Sequence, residues 1–280
     1  MEEVKVVSHD GASSIAEIFR SSCENPKGVI VCLPAMGVPR KLYRPFAQKL
    51  SEAGFHVINF ELRGIDSSSI RPGRNVDFGY AHFLKYDLPA YVELAGSTFD
   101  GLPLYLCGHS LGGQLSALYL SQHPKSAKGL ILVAACLVHY KGWSFPKNLA
   151  ILGGTHLAYQ ISKIVGHFPG RKLGFGGQEA VSVMRDWSFN GRTGRYKLSG
   201  CGIDYDQSLK DLDIPILAIS IKGDIFAPPK AVDLLISKIG SKNSTHNNLM
   251  IAELQGSAHF GWIKSSEKVV EQINQWVSSH

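Results

Sequence analysis

The sequence has no apolar run long enough to cross a bilayer. Its longest uncharged apolar stretch, Gly129 to Val138, is ten residues, against the roughly 20 that a spanning helix needs. It also lacks a basic, apolar leader: the chain opens Met1-Glu2-Glu3-Val4-Lys5. Together these predict a cytoplasmic protein with no integral membrane association. Cysteine is scarce and scattered. Cys23, Cys32, Cys107, Cys136 and Cys201 are odd in number and contain no CxxC pair, which excludes a disulfide scaffold and a thiolate zinc site and fits a reducing compartment. There is no His-Glu-x-x-His and no clustered His/Asp ligand spacing, so neither a metal nor another cofactor is expected. Basic residues are dispersed and accompany no recognised binding module, which argues against nucleic acid as a partner. No internal repeat or low-complexity tract is present, and nothing fixes an oligomeric state.

What is present is a globular composition. Of 280 residues, 44% are apolar and 19% charged, enough to bury roughly 75% of the unfolded surface without staples. Short β-branched runs alternate with helical patterns. Strands are predicted at Gly28–Leu33, Phe55–Phe60, Leu104–Cys107, Leu130–Ala135, Ile214–Ile221 and Asn248–Leu254. Helices are predicted at Tyr43–Ala53, Tyr86–Ala95, Leu111–Leu120, Ala231–Ile239 and Glu267–Val277. Continuous apolar strands are covered on both faces, and intervening helices imply parallel βαβ units. Val4–Arg20 alternates and reads as an antiparallel hairpin at the sheet edge. Between Leu137 and Tyr205 the rhythm breaks. A helical stretch at Asn148–His167, a Gly/Pro segment at Phe168–Gly177 and a short helix at Gln178–Trp187 read as a cap over the strand ends, where parallel sheets bind ligands. The organisation predicted is a core of residues 1–136 and 206–280 interrupted by a mainly helical cap, 137–205.

Gly108-His109-Ser110-Leu111-Gly112-Gly113 follows a predicted strand and opens a predicted helix. That is G-x-S-x-G in strand–turn–helix context: the glycines clear space where strand and helix crowd, and Ser110 is lifted onto a strained apex. A serine hydroxyl needs a base, and the base needs an orienting acid. Asp224 follows the strand Ile214–Ile221, at the ligand-binding end of the sheet, whereas Asp211 and Asp213 precede it. His259 follows the last predicted strand, flanked by small residues. The catalytic residues expected are therefore Ser110, Asp224 and His259. The Leu111 amide at the helix N-terminus supplies one oxyanion donor, and the loop Pro34-Ala35-Met36-Gly37 the other, from Met36 or its rival Ala35. His109 is expected to pack.

These residues together resemble the α/β-hydrolase superfamily, across essentially the whole chain. The Pro-Ala-Met-Gly loop, the Phe168-Pro169-Gly170-Arg171-Lys172-Leu173-Gly174 segment and the His259-Phe260-Gly261 ending resemble one little-characterised, largely bacterial subgroup. Many superfamily members carry His-Gly where this chain has Pro34-Ala35. The resemblance implies the α/β-hydrolase fold, a mostly parallel twisted sheet flanked by helices, and a Ser-His-Asp triad. The function expected is a serine hydrolase that cleaves a small-molecule ester or thioester through an acyl-enzyme. An acyltransferase using the same triad, and a ligand-binding or sensing protein on the same fold, are the alternatives. Trp143, Tyr159 and Trp187, with Phe145, Phe168 and Phe175, either line an acyl pocket or form the cap's own core. Arg63 and Asp66 either touch substrate or form a paired turn. The cap holds nine basic and three acidic residues, which equals the whole chain's net +6. That surplus suggests an anionic substrate met by residues such as Arg171 and Lys172, or simply a solvated surface.

Overall fold

The computed structural model describes residues 1–280. Ten strands form in chain order: β1 (Glu2–Val7), β2 (Ser13–Phe19), β3 (Gly28–Leu33), β4 (Phe55–Asn59), β5 (Leu104–His109), β6 (Gly129–Val133), β7 (Phe168–Pro169), β8 (Gln178–Glu179), β9 (Ile216–Ile221) and β10 (Ser244–Leu249). Eight of them make one sheet in the order β1-β2-β4-β3-β5-β6-β9-β10. The hairpin β1–β2 and its junction with β4 are antiparallel, and every other pairing is parallel. Helices Arg44–Glu52, Leu88–Thr98, Leu111–Gln122, Pro229–Ile236 and Glu267–Ser278 flank the sheet. Strands β3, β6 and β9 are buried at every residue, as continuous apolar runs covered on both faces must be. This is the α/β-hydrolase fold.

Three elements depart from the sequence expectation. The last strand is Ser244–Leu249 rather than Asn248–Leu254. It is an edge strand paired only with β9, so Ser-Thr-His-Asn-Asn faces partial solvent, while the apolar run that follows is loop. The helix expected at Tyr86–Ala95 begins earlier. Helical backbone runs from Tyr80 to Thr98, with a π turn at Phe83–Asp87. Finally, Gln178–Glu179 is not helical. It pairs with Phe168–Pro169 as a two-residue ribbon, and the helix runs from Val181 to Thr193. The Gly-rich tract between the ribbon strands supplies the turn that permits this pairing.

Residues between β6 and β9 cover the strand ends. The helix Lys147–Val165 packs against Val181–Thr193. The ribbon and its turn are seated directly on the loop after β3: a Cβ on Gly37 would lie 1.9 Å from the Gly177 nitrogen, so only glycine fits there. The Gly177 N–H donates to Glu179 Oε1 at 2.9 Å. Burial pushes the Glu179 carboxyl up to about 7. On the opposite flank, the Arg63 guanidinium is buried between two carboxylates. It donates to Asp87 from Nε at 2.8 Å and Nη2 at 2.7 Å, and to Asp10 from Nη1 at 2.7 Å. Asp66 pairs with Lys41 at 2.9 Å. Arg63 and Asp66 are therefore locally paired turn residues.

Two stability outcomes follow from these buried charges. Arg63→Ala strands the Asp87 carboxylate and should cost about 3–5 kcal/mol in urea unfolding; a loss under about 1 kcal/mol would contradict the pairing. For Glu179 the folded-state pKa is raised. Its stabilising contribution is therefore complete below the ordinary glutamate range and is lost as pH climbs through about 7. Glu179→Gln keeps an acceptor for Gly177 and should raise Tm at pH 8 by about 3–6 °C, with little gain at pH 5. An equal shift at both pH values would show that Glu179 is not buried as charged carboxylate.

Candidate active site

The register of the central strands creates the site. Leu33, the last residue of β3, pairs with Gly108 of β5, so the loops that leave these two strands emerge side by side. Between β5 and the helix Leu111–Gln122, Ser110 sits at φ 52°, ψ −116°. That conformation is strained for a residue with a Cβ and persists only where the surroundings enforce it. They do so by proximity. A Cβ on Gly108 would lie 2.3 Å from the Gly112 carbonyl carbon, and one on Gly112 would lie 2.4 Å from the Leu33 oxygen. The Ser110 N–H donates to the Val133 carbonyl at 3.2 Å, which pins the turn to β6.

Asp224 and His259 reach the same end of the sheet from β9 and from the loop after β10. Asp224 is buried. Its Oδ1 accepts the Phe226 and Ala227 N–H groups at 2.8 and 3.1 Å, which leaves Oδ2 for His259 Nδ1 at 2.7 Å. A carboxylate fixed by two backbone donors and bonded to Nδ1 sets the imidazole so that Nε2 is the free nitrogen. His259 and Ser110 both line one cavity of about 620 Å³. No hydrogen bond joins them directly, a common state of such pairs without substrate.

The Pro34–Gly37 loop and the turn at Ser110 are tied through His109. The buried His109 ring packs against Trp262 and His259, with centroids 5.2 and 4.8 Å apart. Its Nδ1 lies 2.6 Å from the Tyr43 hydroxyl, which in turn accepts the Ala35 N–H at 2.9 Å. Burial, with the neighbouring His259 second, drives the His109 pKa well below the usual imidazole range, so the ring is neutral. The Ala35 amide is thus already engaged. Met36, on the cavity wall, follows it in the same loop. The Leu111 N–H belongs to the first turn of its helix, where amides have no intrahelical acceptor.

The cavity wall brings together Ala35, Met36, Ser110, Leu111 and His259 from the core with Trp143, Phe168, Phe175 and Trp187 from residues 137–205. Trp143 also donates its indole N–H to the Ile225 carbonyl at 2.9 Å, which fastens the start of that segment to the Asp224 loop. Tyr159, Arg171 and Lys172 are not on the wall. Tyr159 lies under Lys163 Nζ, 5.2 Å from its ring centroid, and Arg171 and Lys172 are exposed. Phe145 is 78% exposed. All nine basic residues of 137–205 face outward, and no Lys, Arg, Asp or Glu lines the cavity. Sequence reasoning did not find Tyr43, Gln114 or Glu179. Gln114 alone carried a local signal, one helical turn beyond Ser110.

Known proteins agree with this architecture. A monoacylglycerol lipase from Mycolicibacterium smegmatis is 22% identical over 274 residues, covering 91% of this chain and 90% of that protein. A proline iminopeptidase from Lactobacillus delbrueckii subsp. lactis is 25% identical over 275 residues, covering 87% of each. A soluble variant of monoglyceride lipase from Saccharomyces cerevisiae superposes with a TM-score of 0.73 at 18% identity, covering all of this chain and 96% of that one. The sequence profile of the serine aminopeptidase S33 hydrolases matches residues 24–249. The chain therefore belongs to the serine aminopeptidase S33 family, hydrolases built on the α/β-hydrolase fold.

Proposed function

We propose that the protein hydrolyses an uncharged carboxylic ester or thioester through an acyl-enzyme on Ser110. The observation that carries this reading is the buried His259–Asp224 hydrogen bond of 2.7 Å opening on the cavity that holds Ser110. Ser110 Oγ attacks the carbonyl carbon, and His259 Nε2 takes its proton. The tetrahedral oxyanion is held by the Leu111 and Met36 N–H groups. His259 then gives the proton to the departing alcohol or thiol, and water repeats the cycle to release the acid. Met36 is favoured over Ala35 because the Ala35 N–H is spent on Tyr43. Residues 137–205 act as the cap that closes this site over a core of 1–136 and 206–280.

The cavity chemistry selects among the relatives. An aminopeptidase must neutralise the ammonium of its substrate, and an enzyme for anionic esters must neutralise a carboxylate or phosphate. The wall offers neither sign of charge and is mostly apolar, which suits neutral esters of the kind named by the lipase relatives. The cap's positive field stays on the outer surface.

Ser110→Ala should lose turnover by on the order of 10⁶-fold, and a fluorophosphonate should label the native enzyme at Ser110 alone. Asp224→Asn should fold and lose about 10⁴-fold; a loss under about tenfold would send the orienting role to another carboxylate. For a neutral ester, kcat/KM should stay level as salt rises from about 0.1 M to about 1 M, where surface fields are screened within about 3 Å. A steep fall would mean that the cap cations do steer substrate.

A further inference from the structure

One polar side chain on the cavity wall has no part in the chemistry above. Gln114 is 2% exposed, lines the cavity, and sits one turn past Ser110 on the helix Leu111–Gln122. Its Oε1 accepts the Tyr196 hydroxyl at 3.2 Å. Tyr196 is buried, and its own N–H is held by Asp206 Oδ2 at 3.2 Å. The pairing sets the orientation of the amide. The tyrosine proton needs an acceptor, so Oε1 faces Tyr196 and the Nε2 amino group is turned away from it. Nε2 has no protein partner. Elsewhere on the wall the Thr155 hydroxyl donates to the Leu152 carbonyl, Ser110 and His259 belong to the reaction, and Ser257 is exposed, where water can meet its hydroxyl.

A carboxamide left without an acceptor in an apolar cavity costs about 1–3 kcal/mol. A pocket built only for hydrocarbon would have an apolar residue at this position. Gln114 and Ser110 line the same cavity, with Gln114 in the first turn of the helix that Ser110 precedes, so a substrate whose carbonyl sits at Ser110 brings its neighbouring atoms within reach of Gln114.

Resting on the ester-hydrolase reading, we propose that Gln114 is a specificity residue. Its Nε2 donates to an acceptor oxygen, a hydroxyl, ether or ketone, that the substrate carries a few bonds from its scissile carbonyl. The substrate class is then an oxygenated ester rather than a plain hydrocarbon one. The oxygen can lie on the acyl chain or on the alcohol, and matched substrates separate the two.

The acyl arm compares 4-nitrophenyl 3-hydroxyoctanoate with 4-nitrophenyl octanoate. The alcohol arm compares 2-propoxyethyl octanoate with hexyl octanoate, with released acid measured. Wild-type enzyme should prefer the oxygenated member of one pair by at least about tenfold in kcat/KM, because a buried donor rejects the analogue that cannot pair with it. Gln114→Leu should bring that ratio close to one. Gln114→Met matches glutamine closely in length and presents no donor, and should do the same, which guards against a packing defect in the leucine variant. Tyr196→Phe frees the amide to rotate and should lower the ratio partway. Fluorophosphonate labelling of Ser110 is measured in parallel. A labelled wild-type enzyme with no preference in either arm, or a preference that survives both Gln114 variants, overturns the Gln114 subsite alone. An unlabelled wild-type enzyme overturns the hydrolase reading and the subsite with it.

Discussion

The backbone strain at Ser110 is the constraint on which the site depends. A φ of 52° with ψ −116° is held because strand, helix and neighbouring loop have no other way to meet. Gly108 and Gly112 let the helix Leu111–Gln122 start against the end of β3. That contact points the helix's free N-terminal amides at the space above Ser110, and it sets the loop Pro34–Gly37 beside them. One packing decision thus places Ser110, a free helix end and the adjacent Pro34–Gly37 loop together, as the proposed mechanism requires. A side chain at either glycine would move all three together, since the crowding is against backbone, which cannot rotate aside as a flexible side chain can.

Around that turn, charge is segregated by depth. The outer surface of 137–205 carries nine exposed cations, while two of its three acids, Glu179 and Asp186, are buried and only Asp204 is exposed. Burial pushes Glu179 up to about 7 and Asp186 to about 6, and it leaves His109 neutral. The cavity wall has no Lys, Arg, Asp or Glu side chain. A low-dielectric wall strengthens the few dipoles aimed into it. In the proposed mechanism the amides of Leu111 and Met36 and the carboxylate of Asp224 therefore act against little competing field. Surface lysines, separated from the cavity by protein and screened by salt, add little to that balance.

The positions of Ser110, Asp224 and His259 were legible in the sequence because each follows a strand end, and strand ends are local features. The parallel βαβ sheet and the antiparallel edge hairpin were legible from apolar runs and alternation for the same reason, whereas the order of the strands was not. The pattern failed where burial and sequence part company. β10 is polar because an edge strand has one neighbour, and the next apolar run, Leu249-Met250-Ile251-Ala252, looked more like a strand than the strand itself. The cap ribbon failed because two-residue pairing leaves no periodicity to read.

The supporting residues were hidden by distance along the chain. Tyr43 meets His109 across 66 residues, and Gln114 meets Tyr196 across 82. Neither pair has a sequence spacing that means anything until β3 and β5 are paired and 137–205 is folded over them. Charge counting reads composition and not direction. The basic surplus of 137–205 was real, but composition does not report which way a side chain faces, and in a cap the inner and outer faces have opposite consequences. A lysine on the outer face keeps the surface soluble; the same lysine turned inward would have selected an anion. What distinguishes those outcomes here is the wall itself, where small and aromatic residues from the helix Lys147–Val165 and the Phe168–Gly176 turn exclude charge and leave Gln114 as a buried amide beside Ser110 and His259.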